Sequence, residues 1–410
     1  MKDNQAKYPQ LRFKGFTDPW EKRKLCDFGS VAMNKRIFKE QTSDTGDVPF
    51  YKIGTFGGTP DAFISRDLFE EYKSKYQYPE VGDILISASG SIGRTVFYRG
   101  ADEYFQDSNI VWLKHDSQLV NSFLKQFYSI VKWQGLEGST IKRLYNKNIL
   151  ETPITLPSPE EQTKLGEFFE KLDNLIAANQ RKLAKLKELK QGYLQKLFPK
   201  NGSKFPQLRF AGFADAWEER KLSELATMNA RIGWQNLRTS EFLDNGDYML
   251  ITGTDFKAGA IDYSNIHYVE KERFEQDKKI QISNKSILIT KDGTLGKVAY
   301  VEGLTMPATL NAGVFNVKVK EDLAIDSKYL FHYLKAPFLL KFADQRSTGG
   351  TIKHLNQNVL VEFPIPLPSL GEQHKIAGLL SNFDNTIALH QRKLEKLQEL
   401  KKGYLQKMFC

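Results

Sequence analysis

Apolar residues recur every three or four positions along two long stretches of the chain, which is the spacing of one face of an α-helix. The stretches are residues 158–198 and 369–409, and each begins with a serine followed three residues later by a glutamate, a capping box. At about 1.5 Å per residue, roughly 40 residues give a helix of about 60 Å. The predicted helix-packing or partner-binding residues are Leu172, Leu175, Leu183, Leu186, Leu189 and Tyr193 in the first stretch, and Phe383, Leu394, Leu397, Leu400 and Tyr404 in the second.

The two helical stretches are copies of one another, since residues 156–198 and 367–409 are identical at 25 of 43 aligned positions. Each copy is acidic in its first half and basic in its second. Antiparallel packing would bring unlike charges together, whereas parallel packing would bring like charges together. We therefore predict an antiparallel pair. The alternative is that each apolar stripe is the core face of a separate helix.

A glycine recurs at the same place inside both helical patterns, as Gly192 in the first copy and Gly403 in the second. A glycine inside a helix costs about 1 kcal/mol relative to alanine. Its repetition predicts a close approach between helices or contact with a partner. A local break in the helix is the alternative.

The segments before the helices are also repeated, because YPQLRFKGFTDPWEKRKL at 8–25 returns as FPQLRFAGFADAWEERKL at 205–222. Trp20 and Trp217 are the expected core anchors of these segments. Strand-like runs follow in both copies, and helical runs at 122–133 and 327–342 come after them. The predicted strands are 48–53, 83–87, 95–98 and 110–113 in the first copy, and 248–252, 286–290, 297–300 and 314–319 in the second.

This order of segments predicts an α+β fold with an internal pseudo-twofold repeat. Two mixed α/β domains are joined by two long antiparallel coiled-coil helices. The predicted ranges are a first domain at 1–157, a helical spacer and linker at 158–204, a second domain at 205–367 and a C-terminal helical spacer at 368–410. The helices are the most similar parts and the middles of the domains diverge, which indicates a shared role for the helices and different targets for the domains.

Charge and cysteine content narrow the class of protein. The 410 residues carry a net charge of +10, of which +4 belongs to residues 158–204 and +3 to residues 368–410. This charge permits a nucleic-acid partner without requiring one. Cys26 and Cys410 are the only cysteines, which favours a reducing compartment, and the sequence has neither a membrane-spanning run nor a signal-peptide core. We expect a cytoplasmic protein.

Two short segments are candidates for DNA contact. SASGSIGR at 87–94 matches TKDGTLGK at 290–297, and each places a glycine turn and a basic residue after a strand. Such a loop can offer backbone N–H groups and a cation to phosphate, but it also fits a plain hairpin turn. TIKRL at 140–144 matches TIKHL at 351–355 just before the helices. Basic and amide side chains there suit phosphates and base edges, and a solvated loop is the alternative.

Catalytic and metal-binding patterns are not repeated in the two halves. Asp18-Pro19-Trp20 resembles part of an adenine methyltransferase motif, but that motif needs two prolines and the second copy reads Asp215-Ala216-Trp217. The histidines do not form a repeated ligand set, and Phe56-Gly57-Gly58 is too short to indicate a cofactor loop. We therefore expect a protein with no catalytic residues and no metal site. A coiled-coil scaffold would leave two divergent domains without a role.

These repeated motifs resemble the specificity subunits of type I restriction-modification enzymes. The resemblance covers essentially the whole chain. It rests on the run NxxxLxxPIxLPSxxEQ at 146–162, with a looser partner at 361–373, and on the endings LKELKQGYLQKLF at 186–198 and LQELKKGYLQKMF at 397–409, in which Glu188 and Glu399 take the same place. The domain, helix, domain, helix order makes it specific.

The resemblance implies a non-catalytic subunit with two target recognition domains, each reading one half of a bipartite, asymmetric DNA site. The helices would hold the domains apart and bind two adenine-N6 methyltransferase subunits. Motor-nuclease subunits would join to form the restricting complex. S-adenosylmethionine, ATP and Mg²⁺ would belong to these partners, and the chain itself would hold no cofactor.

Sequence can be read only where side chains meet base edges, so DNA contacts are expected in the divergent loops. The residues predicted to contact the first half-site are Lys35, Arg36, Lys52, Ser87, Ser89, Arg94, Gln106, Asn109, Lys142 and Arg143. Those predicted to contact the second are Arg231, Gln235, Thr252, Thr254, Lys291, Lys297, Asn311, Lys353 and His354.

Overall fold

The computed structural model describes residues 8–134, 142–200, 203–233, 236–321, 323–346 and 355–409. The chain divides into two compact units, Met1–Gln180 with Lys393–Cys410, and Arg181–Arg392. Both boundaries fall inside the long helices. Each unit therefore contains one globular domain, the first part of the helix that follows it and the last part of the other helix, whereas the ranges drawn from sequence kept the helices separate.

Unit 1 is built on two small sheets and a two-stranded ribbon. Its strands are β1 (Glu21–Lys24), β2 (Gly29–Ala32), β3 (Val48–Tyr51), β4 (Phe63–Ile64), β5 (Ile84–Ser87), β6 (Thr95–Phe97), β7 (Tyr104–Phe105), β8 (Ile110–His115) and β9 (Pro153–Leu156). Its helices are α1 (Arg66–Lys75), α2 (Asn121–Ile130), α3 (Asn146–Leu150) and the start of α4 (Pro159–Leu197). The sheets have the orders β2-β8-β5-β6 and β4-β3-β7, and β1 pairs with β9.

Unit 2 repeats this plan with a larger sheet. Its strands are β10 (Glu218–Lys221), β11 (Ala226–Ala230), β12 (Met249–Ile251), β13 (Phe256–Lys257), β14 (Ala260–Ile261), β15 (His267–Tyr268), β16 (Gln281–Ile282), β17 (Ile287–Thr290), β18 (Val298–Tyr300), β19 (Ala308–Leu310), β20 (Val314–Val319) and β21 (Pro364–Leu367). Its helices are α5 (Leu222–Leu225), α6 (Lys271–Glu275), α7 (Ser327–Lys335), α8 (Phe338–Gln345), α9 (Gln357–Leu360) and α10 (Leu370–Met408), which continues into unit 1. The sheets have the orders β11-β20-β17-β18-β14-β13 and β15-β12-β19-β16, and β10 pairs with β21.

The predicted strands are present in both units, with ends that shift by one or two residues. One predicted helix is wrong in detail, because the run 327–342 is two helices, α7 and α8, separated at Ala336 and Pro337. Ala336 is extended, with φ −69° and ψ 159°. A residue that precedes proline is disfavoured in the helical region, so the first helix ends there.

Each unit has a core in which the tryptophan of the repeated segment lies against the long helices. Trp20 packs edge-on against Phe123 of α2 and against Phe409, which follows α10. Trp217 packs edge-on against Phe198, which follows α4. Both indoles are buried, as predicted. Burial of large aromatic side chains is the main term that fixes these helix ends to their domains.

An arginine of the repeated LRF motif forms a bidentate ion pair at the start of each long helix. Arg12 donates to both oxygens of Glu161 at 2.7 Å, and Arg209 donates to Glu372 at 2.8 and 2.9 Å. The serine half of the predicted capping box is present, since Ser158 Oγ accepts from Glu161 N–H at 3.5 Å and the equivalent contact with Ser369 is 3.4 Å. The glutamate side chains are thus used to attach the preceding segment to the helix.

The glutamine that follows each glutamate ties the helix start to the domain. Gln162 Oε1 accepts from Val120 N–H at 2.9 Å, and its Nε2 donates to the carbonyls of Gln118 and Pro157. Gln373 makes the matching bonds to Asp326 N–H and to the carbonyls of Ala324 and Pro368. Both amides are buried and their bonds offset the cost of burial.

Candidate nucleic-acid interface

In unit 1 the segment 88–94 is the turn of the hairpin formed by β5 and β6. Ser87 and Arg94 face each other at its base, where Ser87 N–H donates to Arg94 O at 2.8 Å and Gly93 N–H donates to Ser87 O at 2.9 Å. Gly90 and Gly93 have φ of +64° and +81°, a region that favours glycine. The hairpin interpretation is therefore correct for the backbone, and it presents Arg94 at the end of the turn.

Two other segments lie against this hairpin. Ala88 N–H donates to Asn109 O at 2.7 Å, and Leu144 N–H donates to Ala88 O at 2.8 Å. The Ser89 hydroxyl donates to Asn109 Oδ1 at 2.7 Å. Arg143 Nη2 donates to Ser108 O at 2.9 Å, and its guanidinium lies 5.8 Å from the ring centroid of the exposed Tyr145. The structure thus brings together Ser89, Asn109 and Arg143 from three separate segments.

Arg36 and Gln106 belong to the same neighbourhood. Arg36 Nε donates at 2.9 Å to Asp107 Oδ2, next to the residue that Arg143 contacts. Gln106 Oε1 accepts from Ile53 N–H at 2.9 Å. The remaining cations of the first set are placed as follows: Lys35 lies 5.0 Å from the Tyr76 ring centroid, Lys52 pairs with Asp61 at 2.9 Å, Arg94 Nη1 donates to Phe56 O at 2.7 Å, and Lys142 is exposed.

Unit 2 repeats the hairpin in the turn between β17 and β18. Thr290 N–H donates to Lys297 O and Gly296 N–H donates to Thr290 O, both at 2.9 Å. The flanking bonds also recur, since Lys291 N–H donates to Gly313 O at 2.9 Å and Leu355 N–H donates to Lys291 O at 3.1 Å. Lys297 is exposed at the end of the turn, where unit 1 has Arg94.

The other members of the second set are more varied in position. Thr252 and Thr254 join their hydroxyls at 2.6 Å, and Thr252 also donates to Asp255 at 2.9 Å. Lys291 Nζ lies 5.6 Å from the Phe315 ring centroid. Asn311 N–H donates to Ile251 O at 2.9 Å. Gln235, Lys353 and His354 lie outside the described residues.

Among the described residues predicted to contact DNA, three are buried: Ser87 at 1% exposure, Arg231 at 2% and Thr252 at 8%. The Ser87 hydroxyl donates to Ser91 O and accepts from Arg94 N–H at 3.0 Å. Arg231 Nε donates to Leu310 O at 2.9 Å and its Nη2 to Thr309 Oγ1 at 3.3 Å, and burial lowers the pKa of its guanidinium. The Thr252 hydroxyl is likewise bonded inside the domain, to Thr254 and Asp255. These three side chains support their domains from inside, which corrects the expectation that they lie on the surface.

The predicted helix residues divide into three groups by burial. Leu183 and Leu394 are buried. Partly buried positions are Leu172, Leu186, Tyr193, Phe383, Leu397 and Tyr404, and among them Tyr193 meets Phe383 in unit 2 with ring centroids 5.3 Å apart. Leu175, Leu189 and Leu400 are 50%, 43% and 41% exposed, so packing between helices of this chain does not explain them. Contact with a partner stays a prediction for these three.

Gly192 and Gly403 do not mark a close helix approach or a break. Both lie inside continuous helices. Apart from the chain neighbours and the adjacent backbone of the same helix, no heavy atom lies within 4 Å of a Cβ built on either residue. The expected close approach is therefore wrong, the alternative of a local break is excluded, and contact with a partner stays a prediction. Leu189 and Leu400 stand three residues before the glycines and share their face of the helix.

A family model provides the comparison that identifies the chain. The model, described as a type I restriction modification DNA specificity domain, matches residues 17–188 and again residues 214–399. The chain belongs to this family. Each of the two matched ranges contains one of the two hairpins, β5–β6 or β17–β18, and most of one long helix.

Individual members of the type I specificity family differ in how much of the chain they match. A putative type I restriction enzyme specificity subunit of Haemophilus influenzae is 56% identical over 152 residues, which are 37% of this chain and 40% of that protein. The putative MjaX specificity subunit of Methanocaldococcus jannaschii is 23% identical over 406 residues, 94% of this chain and 91% of that protein. A crystal structure of the S subunit from M. genitalium has the same fold, with a TM-score of 0.61 and 18% identity over 98% of this chain and 99% of that one.

Several structurally important residues were not singled out from the sequence. Thr290 holds its hairpin as Ser87 does, and alignment of the two loops would have found it. Arg12 and Arg209 were signalled by the repeated LRF motif, but their glutamate partners could not be chosen without a structure.

None of the described helices is both long and apolar enough to cross a membrane.

Proposed function

We propose that this chain is the DNA-binding specificity subunit of a type I restriction-modification complex, and that each domain reads one half of a bipartite, asymmetric site. The observation that best supports this proposal is the repeated hairpin, which ends in Arg94 in unit 1 and in Lys297 in unit 2. Its backbone hydrogen bonds are the same in both units, while the surrounding side chains differ. A shared cation suits phosphates, which carry no sequence information, while divergent neighbours suit different base sequences.

The side chains around the unit 1 hairpin support both kinds of contact. Arg94 and Arg143 each use one amino group on a carbonyl of the protein. A guanidinium has five N–H donors, so both can also bind phosphate. Asn109, Ser89 and Gln106 carry the amide and hydroxyl groups that pair with base edges in the major groove. Lys35, Arg36, Lys52 and Lys142 add positive charge.

In unit 2 the corresponding cations are Lys291 and Lys297. Thr254 and Asn311 carry the polar groups suited to bases, and the buried Thr252 is proposed to act through Thr254, to which it is bonded. Gln235, Lys353 and His354 remain proposed contacts on the strength of their positions in the sequence. Ser87 and Arg231 are proposed to act through the residues that they support.

The partners that we propose are two adenine-N6 methyltransferase subunits, joined by motor-nuclease subunits in the restricting form. An exposed leucine and a glycine with open space beside it occur at equivalent positions of the two long helices, Leu189 with Gly192 and Leu400 with Gly403. Two equivalent surfaces on one chain suit two copies of one partner. The chain would do no chemistry itself, and S-adenosylmethionine, ATP and Mg²⁺ would be bound by the partners in the cytoplasm.

Half-site dependence tests this proposal directly. The chain, assembled with a methyltransferase subunit expressed together with it, is titrated with a duplex that contains the motif that the complex methylates. Three further duplexes have the first half, the second half or both halves scrambled. We expect each single scramble to weaken binding, because each half supplies its own base contacts. Equal affinity for all four duplexes would contradict the proposal.

A further inference from the structure

A buried hydroxyl closes each of the two hairpins at the same position. In unit 1 the Ser87 hydroxyl donates to Ser91 O and accepts from Arg94 N–H at 3.0 Å. In unit 2 the Thr290 hydroxyl donates to Thr294 O and accepts from Lys297 N–H at 2.9 Å. The residues are 1% and 2% exposed, so neither side chain can reach a partner itself. We call this pair of bonds the hydroxyl clasp.

The clasp acts on the residue that carries the exposed cation. It binds the backbone N–H of Arg94 and Lys297 at the point where the chain leaves the turn and enters β6 or β18. Inside the turn, Ile92 N–H donates to Gly90 O at 3.0 Å and Leu295 N–H donates to Gly293 O at 3.1 Å, which bends the chain around Ser91 and Thr294. The clasp therefore sets the direction from which each cation leaves the hairpin.

The clasp needs a hydroxyl group and tolerates the methyl group of threonine. One hydroxyl supplies both a donor and an acceptor, and alanine would leave a buried carbonyl and a buried N–H without these bonds. In unit 2 the methyl carbon of Thr290 lies 2.8 Å from a Cβ built on Gly253, so the absence of a side chain there makes room for it. In unit 1 Thr55 N–H donates to Lys52 O as Asp255 N–H donates to Thr252 O in unit 2, so Ile53 holds the place of Gly253 there and faces a serine without that methyl group.

We propose that Ser87 and Thr290 are positioning residues that aim Arg94 and Lys297 at DNA phosphates, one in each half-site. This inference rests on the proposed function of the chain. It assigns the two buried hydroxyls to affinity through the cation that follows each turn, and it leaves base reading to the neighbouring side chains.

Salt dependence separates this role from a general effect on folding. A protein that loses one phosphate contact shows a slope of log K against log salt that is smaller by about 1. The full chain is assembled with a methyltransferase subunit expressed together with it. The complex is titrated, at several salt concentrations, with an unmethylated duplex that contains its motif. The variants are Ser87→Ala, Ser87→Thr and Arg94→Gln in unit 1, and Thr290→Val, Thr290→Ser and Lys297→Gln in unit 2.

We expect Ser87→Ala to weaken binding about tenfold and to lower the slope by about 1, as Arg94→Gln does. Ser87→Thr keeps the hydroxyl that makes both bonds and should retain the slope. The same relations should hold for Thr290→Val and Thr290→Ser in unit 2. Variants of one unit, made in the full chain, are sufficient for the test. The melting temperature of each variant shows whether it is folded.

Two outcomes would overturn the inference. In the first, the Ser87→Ala and Thr290→Val variants are folded and bind DNA as tightly as the parent. In the second, these variants bind more weakly but their salt slope is unchanged. If Arg94→Gln and Lys297→Gln lower the slope while the hydroxyl variants do not, the clasp fails and the proposed function stands. If the parent complex shows no preference for its motif, the proposed function fails as well.

Discussion

The ammonium group of Lys401 lies 2.6 Å from Oδ1 of Asp173 and joins α10 to α4 within unit 1. Lys125 of α2 reaches the other oxygen of Asp173 at 3.2 Å, so one carboxylate holds two long helices and the globular domain. Unit 2 has the same arrangement at Asp384, which Lys190 contacts at 2.5 Å and Lys335 of α7 at 3.1 Å. In unit 1 Phe168, which precedes Asp173, meets Tyr404, which follows Lys401. In unit 2 Tyr193, which follows Lys190, meets Phe383, which precedes Asp384. The two helices thus run in opposite directions inside each unit, as predicted.

Removal of the Asp173 charge should loosen unit 1. Burial raises the pKa of Asp173, but the ion pairs with Lys401 and Lys125 outweigh burial and the pKa is lowered. A carboxylate with a lowered pKa stabilises the fold above about pH 4, and this contribution is lost as the pH falls through its folded pKa. Asp173→Asn should therefore cost about 2 kcal/mol of unfolding free energy at pH 7, measured by denaturant titration.

The matched control is Glu170→Gln, which makes the same change of charge at an exposed position of the same helix. We expect it to change stability by less than about 0.5 kcal/mol. Equal effects of the two substitutions would show that the Asp173 contacts do not hold the elements together.

Acid should destabilise unit 2 through His332. Burial lowers the pKa of this imidazole to about 3, and its surroundings are Ser381 Oγ at 2.9 Å and Asp384, which is itself paired with Lys190 and Lys335. An unfolded histidine has a pKa of about 6.5, so between pH 6.5 and 3 the unfolded state binds a proton that the folded state excludes. Stability is thus full above pH 6.5, and at pH 5 the loss should be about 2 kcal/mol.

Unit 1 has Gln126 at the position that matches His332, buried and without a charge to gain. His332→Gln should therefore remove most of the acid sensitivity of unit 2 between pH 7 and 5, measured by hydrogen exchange of its amides. His374→Gln, at an exposed histidine, is the control and should leave that sensitivity unchanged. An acid response that persists in His332→Gln would assign the effect to other groups.

Much of the fold follows from local patterns in the sequence. The apolar stripes of α4 and α10, the serine caps and the strands that flank the two hairpins depend on residues close together in the chain. β1 has the sequence EKRK, which does not indicate a strand, and it forms through its register with β9. Asp173 pairs with Lys125 and Lys401, which are 48 and 228 positions away in the sequence, so no local pattern could predict these ion pairs.

The candidate site shows the same limit. The repeated loops identified the hairpins, but polarity alone placed Ser87 and Arg231 on the surface. Both side chains find their hydrogen-bond partners inside the domain, in carbonyl and hydroxyl groups that only the folded chain brings near. Polar side chains can be buried at little cost when they are fully bonded, and a sequence does not reveal where that occurs.

Enlargement of Gly192 should separate helix stability from partner assembly. Gly192→Ala adds one methyl group in open space and should stabilise the helix by up to about 1 kcal/mol while it leaves assembly intact. Gly192→Leu should keep the fold and reduce binding of the methyltransferase subunit, measured by analytical ultracentrifugation. The substitution Gly403→Leu should have the equivalent effect on the second copy. Normal assembly of the double leucine variant would rule out this face as the docking surface.

Charge reversal at Arg143 should weaken contact with the first half-site. Arg143→Glu should reduce affinity for the duplex that contains the motif about tenfold or more, because the substitution removes a cation and repels phosphate. Titrations by fluorescence anisotropy measure the change. Lys171→Glu makes the same change of charge on an exposed face of α4 and is the control. Affinity that falls equally in both variants would reflect net charge alone.

The central claim is that one chain with two different domains reads one split DNA site. The most direct measurement is genome-wide adenine methylation after expression of this chain with its methyltransferase subunit in a host that lacks adenine methylation. The account predicts a single bipartite, asymmetric motif with modified adenines in both halves. An assembled complex that produces no new methylation, or methylation without a split motif, would contradict it.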